Sequence, residues 1–161
     1  MDNKEQRQIK NQYDLEKELY DFCLSICREE YVKLMEYMDD WILKHRDKEF
    51  FALKATNERS QKTLFGNVKY RRRGYAYKTL NGESETVYLL DELFNNEKLG
   101  NFSLAMAEEI AMRLEETREG TALVKDMQDR HHLEITRQAM YWLMKKYRAY
   151  TDELAKESLN A

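Results

Sequence analysis

The side chains of this sequence that are best suited to chemistry are basic, and they are concentrated in two stretches. Residues 54–78 carry eight Lys or Arg and one acid, Glu58, whereas residues 137–148 carry four Lys or Arg and no acid. The formal net charge of the chain is −3, so most acids lie elsewhere. A charge acts over about 8–10 Å in physiological salt, so a local basic face attracts a polyanion even on an acidic protein. The pattern favours a nucleic-acid partner, with an ordinary patchy surface as the alternative.

Catalytic arrangements are absent from the sequence. It holds no Gly-rich loop that would cradle a phosphate and no Ser nucleophile motif. Adjacent acids, such as Asp39 with Asp40 and Glu108 with Glu109, project in different directions from a helix and are expected to be solvated charges. We therefore expect no catalytic residue and no cofactor.

Two cysteines, Cys23 and Cys27, lie four residues apart in a predicted helix. Together with His131 and His132 they are of zinc-ligand type. Zinc ligands, however, more often include closely spaced cysteines in loops, and thiols on an apolar helix face usually pack. We expect no metal site. The absence of a signal peptide and of an apolar run long enough to cross a bilayer predicts a cytoplasmic protein with no membrane partner.

The second basic stretch falls at the start of a predicted helix. Ser103 and Thr136 are placed to cap helices, and residues 103–116, 119–130 and 136 onward each show an apolar side. The inward residues are Leu104, Ala107, Ile110, Ala111 and Leu114, then Leu123, Val124 and Met127, then Met140, Leu143, Met144 and Tyr147. This spacing is typical of a helix-turn-helix. The turn usually contains Gly, and here His131 or His132 must adopt the positive φ.

A helix-turn-helix presents the start of its second helix to the major groove of DNA. The outward side chains there are Thr136, Arg137, Gln138 and Tyr141, followed by Lys145, Lys146 and Arg148. Arg can bond guanine bidentately and Gln can bond adenine, each discriminating between bases by about 1–3 kcal/mol. The alternative is a plain helical hairpin with a solvated basic face.

The first basic stretch contains the run Arg71, Arg72 and Arg73 within a predicted strand flanked by tyrosines. Side chains alternate along a strand. One face would then carry Lys69, Arg71 and Arg73, and the other Val68, Tyr70 and Arg72. The arginines could lie on a phosphate backbone. The alternative is an edge strand whose charges protect it against aggregation.

The elements that must position these residues are predicted from periodicity. Apolar residues recur at spacings of three and four from residue 15 to about 48, which predicts an amphipathic helix. They are Leu15, Leu19, Phe22, Cys23, Ile26, Leu34, Met35, Met38, Trp41 and Ile42. A helix this long either breaks near residues 28–30 into a hairpin, which we favour, or pairs with another chain as a coiled coil.

Three short antiparallel strands are predicted around residues 63–65, 68–77 and 86–90. The pair Asn81-Gly82 is the strongest hairpin signal, because its tight turn needs positive φ at both central residues.

Several motifs along the chain occur in a characteristic order. They are Arg46-Asp47-Lys48, then Lys62-Thr63-Leu64-Phe65-Gly66-Asn67-Val68-Lys69-Tyr70-Arg71-Arg72, then Tyr88-Leu89-Leu90-Asp91-Glu92, then Asn101-Phe102-Ser103, and finally Ile135-Thr136-Arg137-Gln138-Ala139-Met140-Tyr141. In order and spacing they resemble the N-terminal half of the ISLre-two family of insertion-sequence transposases, whose pattern is roughly RDK, TLFGEVxYxRRxY, GxxVYLLDE and ISxQGVW. Asn67 stands where that family has an acid, and Ala139 and Tyr141 where it has Gly and Trp.

The resemblance implies that this region recognises the DNA ends of a mobile element. In such transposases catalysis belongs to a following RNase H-like domain that holds two metal ions. Because the chain ends at Ala161, the resemblance implies a truncated, DNA-binding fragment that is not itself an enzyme.

The sequence therefore predicts an α+β chain, mainly helical. We expect an N-terminal helix or helical hairpin in residues 1–58, a small three-stranded antiparallel sheet in 59–100, and a three-helix module with the helix-turn-helix in 101–161. The expected function is sequence-specific binding of double-stranded DNA during transposition. The alternatives are a protein-interaction module that forms a homodimer through the N-terminal helix, and a transposase remnant without function.

Overall fold

A computed structural model describes residues 11–79, 82–94, 96–117 and 119–159. The elements in chain order are α1 (Gln12–His45), β1 (Phe51–Thr63), β2 (Gly66–Lys78), β3 (Ser84–Val87), α2 (Leu89–Leu93), a 3-10 turn (Asn96–Leu99), α3 (Leu104–Thr117), α4 (Gly120–His131) and α5 (Arg137–Leu159). The three strands form one antiparallel sheet in the order β1-β2-β3. The predicted α+β class, with a small sheet and a C-terminal helical module, is confirmed.

Helix α1 is continuous over 34 residues, so the predicted break near residues 28–30 is wrong. No Pro or Gly interrupts it, and its two halves pack against different parts of the molecule. In the first half the Tyr20 hydroxyl donates to the Arg130 carbonyl oxygen at the end of α4, at 3.0 Å. At the expected break Arg28 Nη1 donates to the Phe65 carbonyl oxygen at 2.8 Å. These contacts stabilise α1 as one continuous helix.

Strand β1 begins at Phe51, twelve residues before the predicted strand near Thr63, and Leu64 and Phe65 form the turn instead. Its pairing with β2 runs from Phe51 opposite Tyr77 to Thr63 opposite Gly66. The first half of β1 is exposed and has little apolar alternation, so the partner strand sets its conformation rather than local propensity.

The third strand is shorter than predicted, because Leu89 and Leu90 belong to helix α2. Residue 81 of the predicted Asn-Gly turn lies outside the described residues. Gly82 has a φ of +80°, which a glycine adopts without strain.

Along residues 66–74, the edge of β2 opposite β1 has no strand beside it, because β3 pairs only with Tyr75 to Lys78. Helix α1 lies along this open edge. The backbone N–H of Arg71 donates to Glu36 at 3.0 Å, and that of Arg73 donates to Asp39 at 3.1 Å. The two carboxylates thus satisfy backbone groups that a fourth strand would otherwise have paired.

The described residues form two apolar cores. One lies between α1, the sheet and α2, and the other unites α3, α4 and α5. The first contains Met35, Ile42, Val68, Tyr70, Tyr75 and Leu90. The second includes Phe102, Met106, Ile110, Leu114, Leu123, Met127, Met140 and Leu143. The inward residues predicted for the three helices are buried or half-buried, except that Leu104 is exposed.

The end of β1 is joined to the start of the helical module by backbone hydrogen bonds. The Lys62 N–H donates to the Asn101 carbonyl oxygen at 2.7 Å, and the Ser103 N–H donates to the Lys62 carbonyl oxygen at 2.9 Å. The Ser103 hydroxyl oxygen then accepts from the Met106 N–H at 3.2 Å. Ser103 therefore caps α3 as predicted, and the same segment is attached to the sheet.

Candidate nucleic-acid interface

The first half of α5 stands on the surface with its polar side outward. Thr136 caps the helix, since its hydroxyl oxygen accepts from the Ala139 N–H at 3.2 Å. Met140 and Leu143 are fully buried beneath it. The predicted outward residues of the first turns, Thr136, Arg137, Gln138 and Tyr141, are all exposed.

The turn before α5 has the backbone conformation that the sequence predicted. His132 has a φ of +52°, in the left-handed region. His132 Nε2 lies 2.9 Å from Oδ1 of Asp21 on α1. His131 Nδ1 lies 2.6 Å from the carbonyl oxygen of Leu64 in the β1–β2 turn. The sheet and α1 therefore both hold the start of α5 in place.

The starts of α4 and α5 lie side by side. A Cβ placed on Gly120 would lie 3.0 Å from Cγ of Arg137 and 3.2 Å from a ring carbon of Tyr141. No side-chain hydrogen bond caps α4 at Glu119, and Gly120, its first residue, is buried beside Arg137 and Tyr141. Two helix N-termini, each with a partial positive charge, thus meet on one surface.

The basic side chains predicted for α5 continue this surface along the helix. Lys145 and Lys146 are exposed and have no acidic partner among the described residues, and no acid occurs between Ile135 and Thr151. Arg148 binds Glu115 at 2.7 Å, and both side chains are more than half exposed. Exposed pairs of this kind contribute little to stability, so Arg148 remains available to an external anion.

Trp142 belongs to the same surface, and the sequence reasoning missed it. Its side chain is 44% exposed, and the Lys146 ammonium group lies 5.8 Å from its ring centroid. An aromatic residue on the polar side of an amphipathic helix, directly after Tyr141, was the available signal. Arg137 shows the same arrangement, with its guanidinium carbon 5.7 Å from the ring centroid of Tyr141.

One hydroxyl beside this surface is part of the helical packing. Burial, together with the neighbouring Glu108 carboxylate, raises the pKa of Tyr147. The Tyr147 hydroxyl therefore stays protonated at neutral pH and donates to Glu108 at 3.3 Å.

The arginines of β2 alternate between the two faces of the sheet as predicted, but each of them is paired with an acid. Arg71, exposed, binds Glu36 at 3.2 Å. Arg73 binds both Asp39 and Asp40 at 2.6 Å. Hydrogen bonds from the Arg71 side chain and backbone lower the pKa of Glu36, so this partner is ionised at neutral pH. The sheet is therefore not an open cationic surface.

Arg72 lies on the covered face of the sheet, with 15% of its side chain exposed. It forms an ion pair with Asp91, which is fully buried and also binds Arg59 at 2.7 Å. The Arg72 guanidinium carbon stacks 3.7 Å from the ring centroid of Tyr88. Asp91 and Tyr88 come from the segment after β3, so Arg72 fastens that segment to the sheet. A nucleic-acid phosphate has no access to this charge pair.

Two expectations about acids and ligands need correction or restatement. Asp39 and Asp40 do not act as separate solvated charges, because Asp39 is buried and both carboxylates reach one guanidinium. Among the described residues, no three His, Cys, Asp or Glu side chains gather in a way that could hold a metal ion. In the same part of the chain, no helix combines the length and apolar character needed to cross a bilayer.

Comparison with known proteins places this architecture in one family. No curated protein and no solved structure matches the chain. The family model described as "Uncharacterised protein family (UPF0236)" matches residues 7–145. That range includes α1, the whole sheet, the α4–α5 turn and the exposed start of α5. The chain therefore belongs to the UPF0236 family.

Proposed function

We propose that this chain binds double-stranded DNA sequence-specifically, with the first half of α5 in the major groove. The observation that carries the proposal is the outward face of α5, where Arg137, Gln138, Tyr141 and Lys145 are exposed on a helix whose opposite side is buried. Arg and Gln can each form paired hydrogen bonds to a base edge. This face lies at the start of the second helix of a helix-turn-helix, where such proteins read bases.

The basic groups around that face would contact the DNA phosphates. Lys145 and Lys146 carry charge without an acidic partner among the described residues, and Arg148 can exchange its exposed pair with Glu115 for a phosphate. The start of α4 has no side-chain cap and lies beside Arg137, so it adds the partial positive charge of a helix N-terminus to this face. Arg71, Arg72 and Arg73 are left out of the proposed interface. Arg72 and Arg73 are largely covered and paired with carboxylates. Glu36, the partner of Arg71, is also held by the Arg71 backbone N–H, so this pair is more firmly fixed than that of Arg148.

The resemblance to insertion-sequence transposases suggests which DNA is recognised. We assign to the chain the recognition of the ends of a mobile element, and we assign it no step of chemistry. We place this activity in the cytoplasm, where the exposed thiol of Cys23 stays reduced.

The test is selection of bound duplexes from a random pool, first with the wild-type chain. We expect one enriched motif. The double variant Arg137→Ala with Gln138→Ala should lose preference at about two positions, because each base contact discriminates by about 1–3 kcal/mol. The matched control, Lys125→Ala with Gln128→Ala, removes one basic residue and one glutamine from exposed positions of α4 and should keep the motif. An unchanged motif in the first variant would show that α5 is not the recognition helix, and no motif at all would overturn the proposal.

A further inference from the structure

The outward face of α1 carries large apolar side chains that nothing in the described structure covers. Phe22 is 60% exposed, Ile26 44%, Tyr37 65% and Trp41 49%. A helix turns by about 100° per residue, which places these four on the side opposite the buried Leu24, Met35 and Ile42. Exposed apolar surfaces of this extent mark an interaction site more often than a free surface.

Two charged residues interrupt this apolar face at its middle. Glu30 and Lys33 form an exposed pair at 2.6 Å, with 58% and 67% of their side chains accessible. Along the helix, this face is therefore apolar at both ends, with an acidic residue and then a basic residue in the middle.

These six residues are symmetric about a single point, and the exposed Leu15 and Leu19 lie outside the symmetric span. Phe22 and Trp41, Ile26 and Tyr37, and Glu30 and Lys33 are three pairs with the same midpoint, which lies between Tyr31 and Val32. If a second α1 lies antiparallel across this point, Phe22 meets Trp41, Ile26 meets Tyr37, and Glu30 meets Lys33, each twice. A parallel pairing in register would instead place Glu30 on Glu30 and Lys33 on Lys33, where like charges repel.

We propose that two copies of this chain associate through their α1 helices, antiparallel, about a two-fold axis at that midpoint. The face from Phe22 to Trp41 is about 29 Å long at 1.5 Å per residue. Large aromatic side chains can bury about 150–250 Å² each, and standard interfaces bury about 800 Å² per partner. Phe22, Tyr37 and Trp41 are 49–65% exposed, so their exposed parts supply a share of that area and the rest of the α1 face must supply the remainder. The proposal depends on neither the α5 surface nor DNA binding.

The experiment measures molar mass by sedimentation equilibrium over a range of protein concentrations without DNA. The wild-type chain should pass from monomer to dimer. Glu30→Lys alone gives every copy two basic residues at the midpoint, and Lys33→Glu alone gives every copy two acids. Each should raise the dissociation constant of its own dimer by roughly tenfold or more, because like charges then meet twice. Lys17→Glu reverses a charge on the same helix away from the apolar face and should leave the dimer unchanged.

The decisive step is to mix the two single variants. An acidic and a basic copy meet in two attractive pairs across the axis, so the mixture should form a heterodimer at concentrations where each variant alone is monomeric. Rescue by mixing cannot come from a folding defect in either chain. A wild-type chain that stays monomeric at its highest soluble concentration would overturn the dimer. A mixture that fails to associate while the wild type does would overturn the antiparallel register.

Discussion

Asp91 is the residue that fastens the segment after β3 to the sheet. Its side chain is fully buried and shared by Arg59 and Arg72, which are 12% and 15% exposed. If the carboxylate is lost, two guanidinium groups remain largely buried without a counter-charge, and breaking such a pair costs about 3–5 kcal/mol.

We therefore expect Asp91→Asn to lower the free energy of unfolding by about 3 kcal/mol, measured by urea denaturation. Glu92→Gln removes a neighbouring but exposed carboxylate and should change stability by less than about 0.5 kcal/mol. Equal effects of the two substitutions would show that Asp91 does not hold this charge cluster together.

His132 combines an imidazole that binds Asp21 with a left-handed backbone. These roles separate in two substitutions that both remove the ring. Left-handed backbone costs a residue with a Cβ about 1–2 kcal/mol and costs glycine nothing. His132→Gly should therefore be more stable than His132→Ala by about 1 kcal/mol, as measured by thermal or urea unfolding.

The same exchange within a helix has the opposite sign and serves as the control. Ala149→Gly, at an exposed position of α5, should lose about 1 kcal/mol. A His132→Ala variant as stable as His132→Gly would contradict the left-handed conformation of the turn.

Residue by residue, the sequence predicted what depends on near neighbours in the chain. The caps at Ser103 and Thr136 and the positive φ near His132 follow from local backbone rules, and all three are confirmed. The partners of the β2 arginines could not be predicted this way. Glu36 and Asp39 lie 35 and 34 residues from the arginines whose backbone they bind, and no local pattern connects them.

Among the elements, α1 and the open edge of β2 depend on each other. Glu36 accepts hydrogen bonds from both the side chain and the backbone of Arg71, which lower its pKa below the ordinary 4.5. A carboxyl with a lowered pKa stabilises the folded state above its unfolded-state pKa, and the contribution disappears as the pH falls through the folded-state value.

The stability difference between the wild type and Glu36→Gln should therefore be full at neutral pH and shrink as the pH falls below about 4.5, the ordinary value. Urea unfolding at a series of pH values measures it. Glu29→Gln, an exposed position on the same helix, should show a smaller difference at neutral pH. A Glu36→Gln difference that stays constant down to strongly acidic pH would mean that the carboxylate charge is not what caps the strand edge.

The strands show where element prediction from the sequence stops. The strand around Val68 to Tyr77 was predicted, together with the placing of Arg71 and Arg72 on opposite faces of the sheet. Both are confirmed, since Arg71 is exposed and Arg72 is largely covered. The early start of β1 was not predicted, because the stretch after Phe51 becomes a strand only by pairing with β2. The unbroken α1 was missed for a similar reason, since its contacts with Phe65 and Arg130 lie far along the chain.

For the whole molecule, the distribution of usable positive charge differs from what the sequence suggested. In the sequence, two basic stretches were equally good candidates for binding DNA. Folding pairs the arginines of the stretch in the sheet with carboxylates of α1 and α2. On α5, Lys145 and Lys146 are exposed without an acidic partner among the described residues. Composition cannot distinguish these outcomes, because it does not show which acid meets which base.

This difference predicts how DNA binding responds to salt. The logarithm of the binding constant falls linearly with the logarithm of salt concentration, by about 0.9 per phosphate contact. Lys145→Ala and Lys146→Ala should each reduce the slope by about that amount, measured by fluorescence anisotropy with a labelled duplex. Arg71→Ala should leave the slope unchanged, because Glu36 already binds that guanidinium. An equal reduction of the slope in Arg71→Ala would show that the sheet contacts DNA phosphates as well.

The backbone bonds that Lys62 makes with Asn101 and Ser103 also determine how the protein responds to mechanical load. If α5 binds a duplex as proposed, a force on the duplex would act on the helical module, and that module is joined to the sheet by backbone hydrogen bonds. These bonds restrict rotation of the helical module relative to the sheet, so the force would act on the strands as well. A bound segment of DNA would be held at a fixed angle to the rest of the molecule.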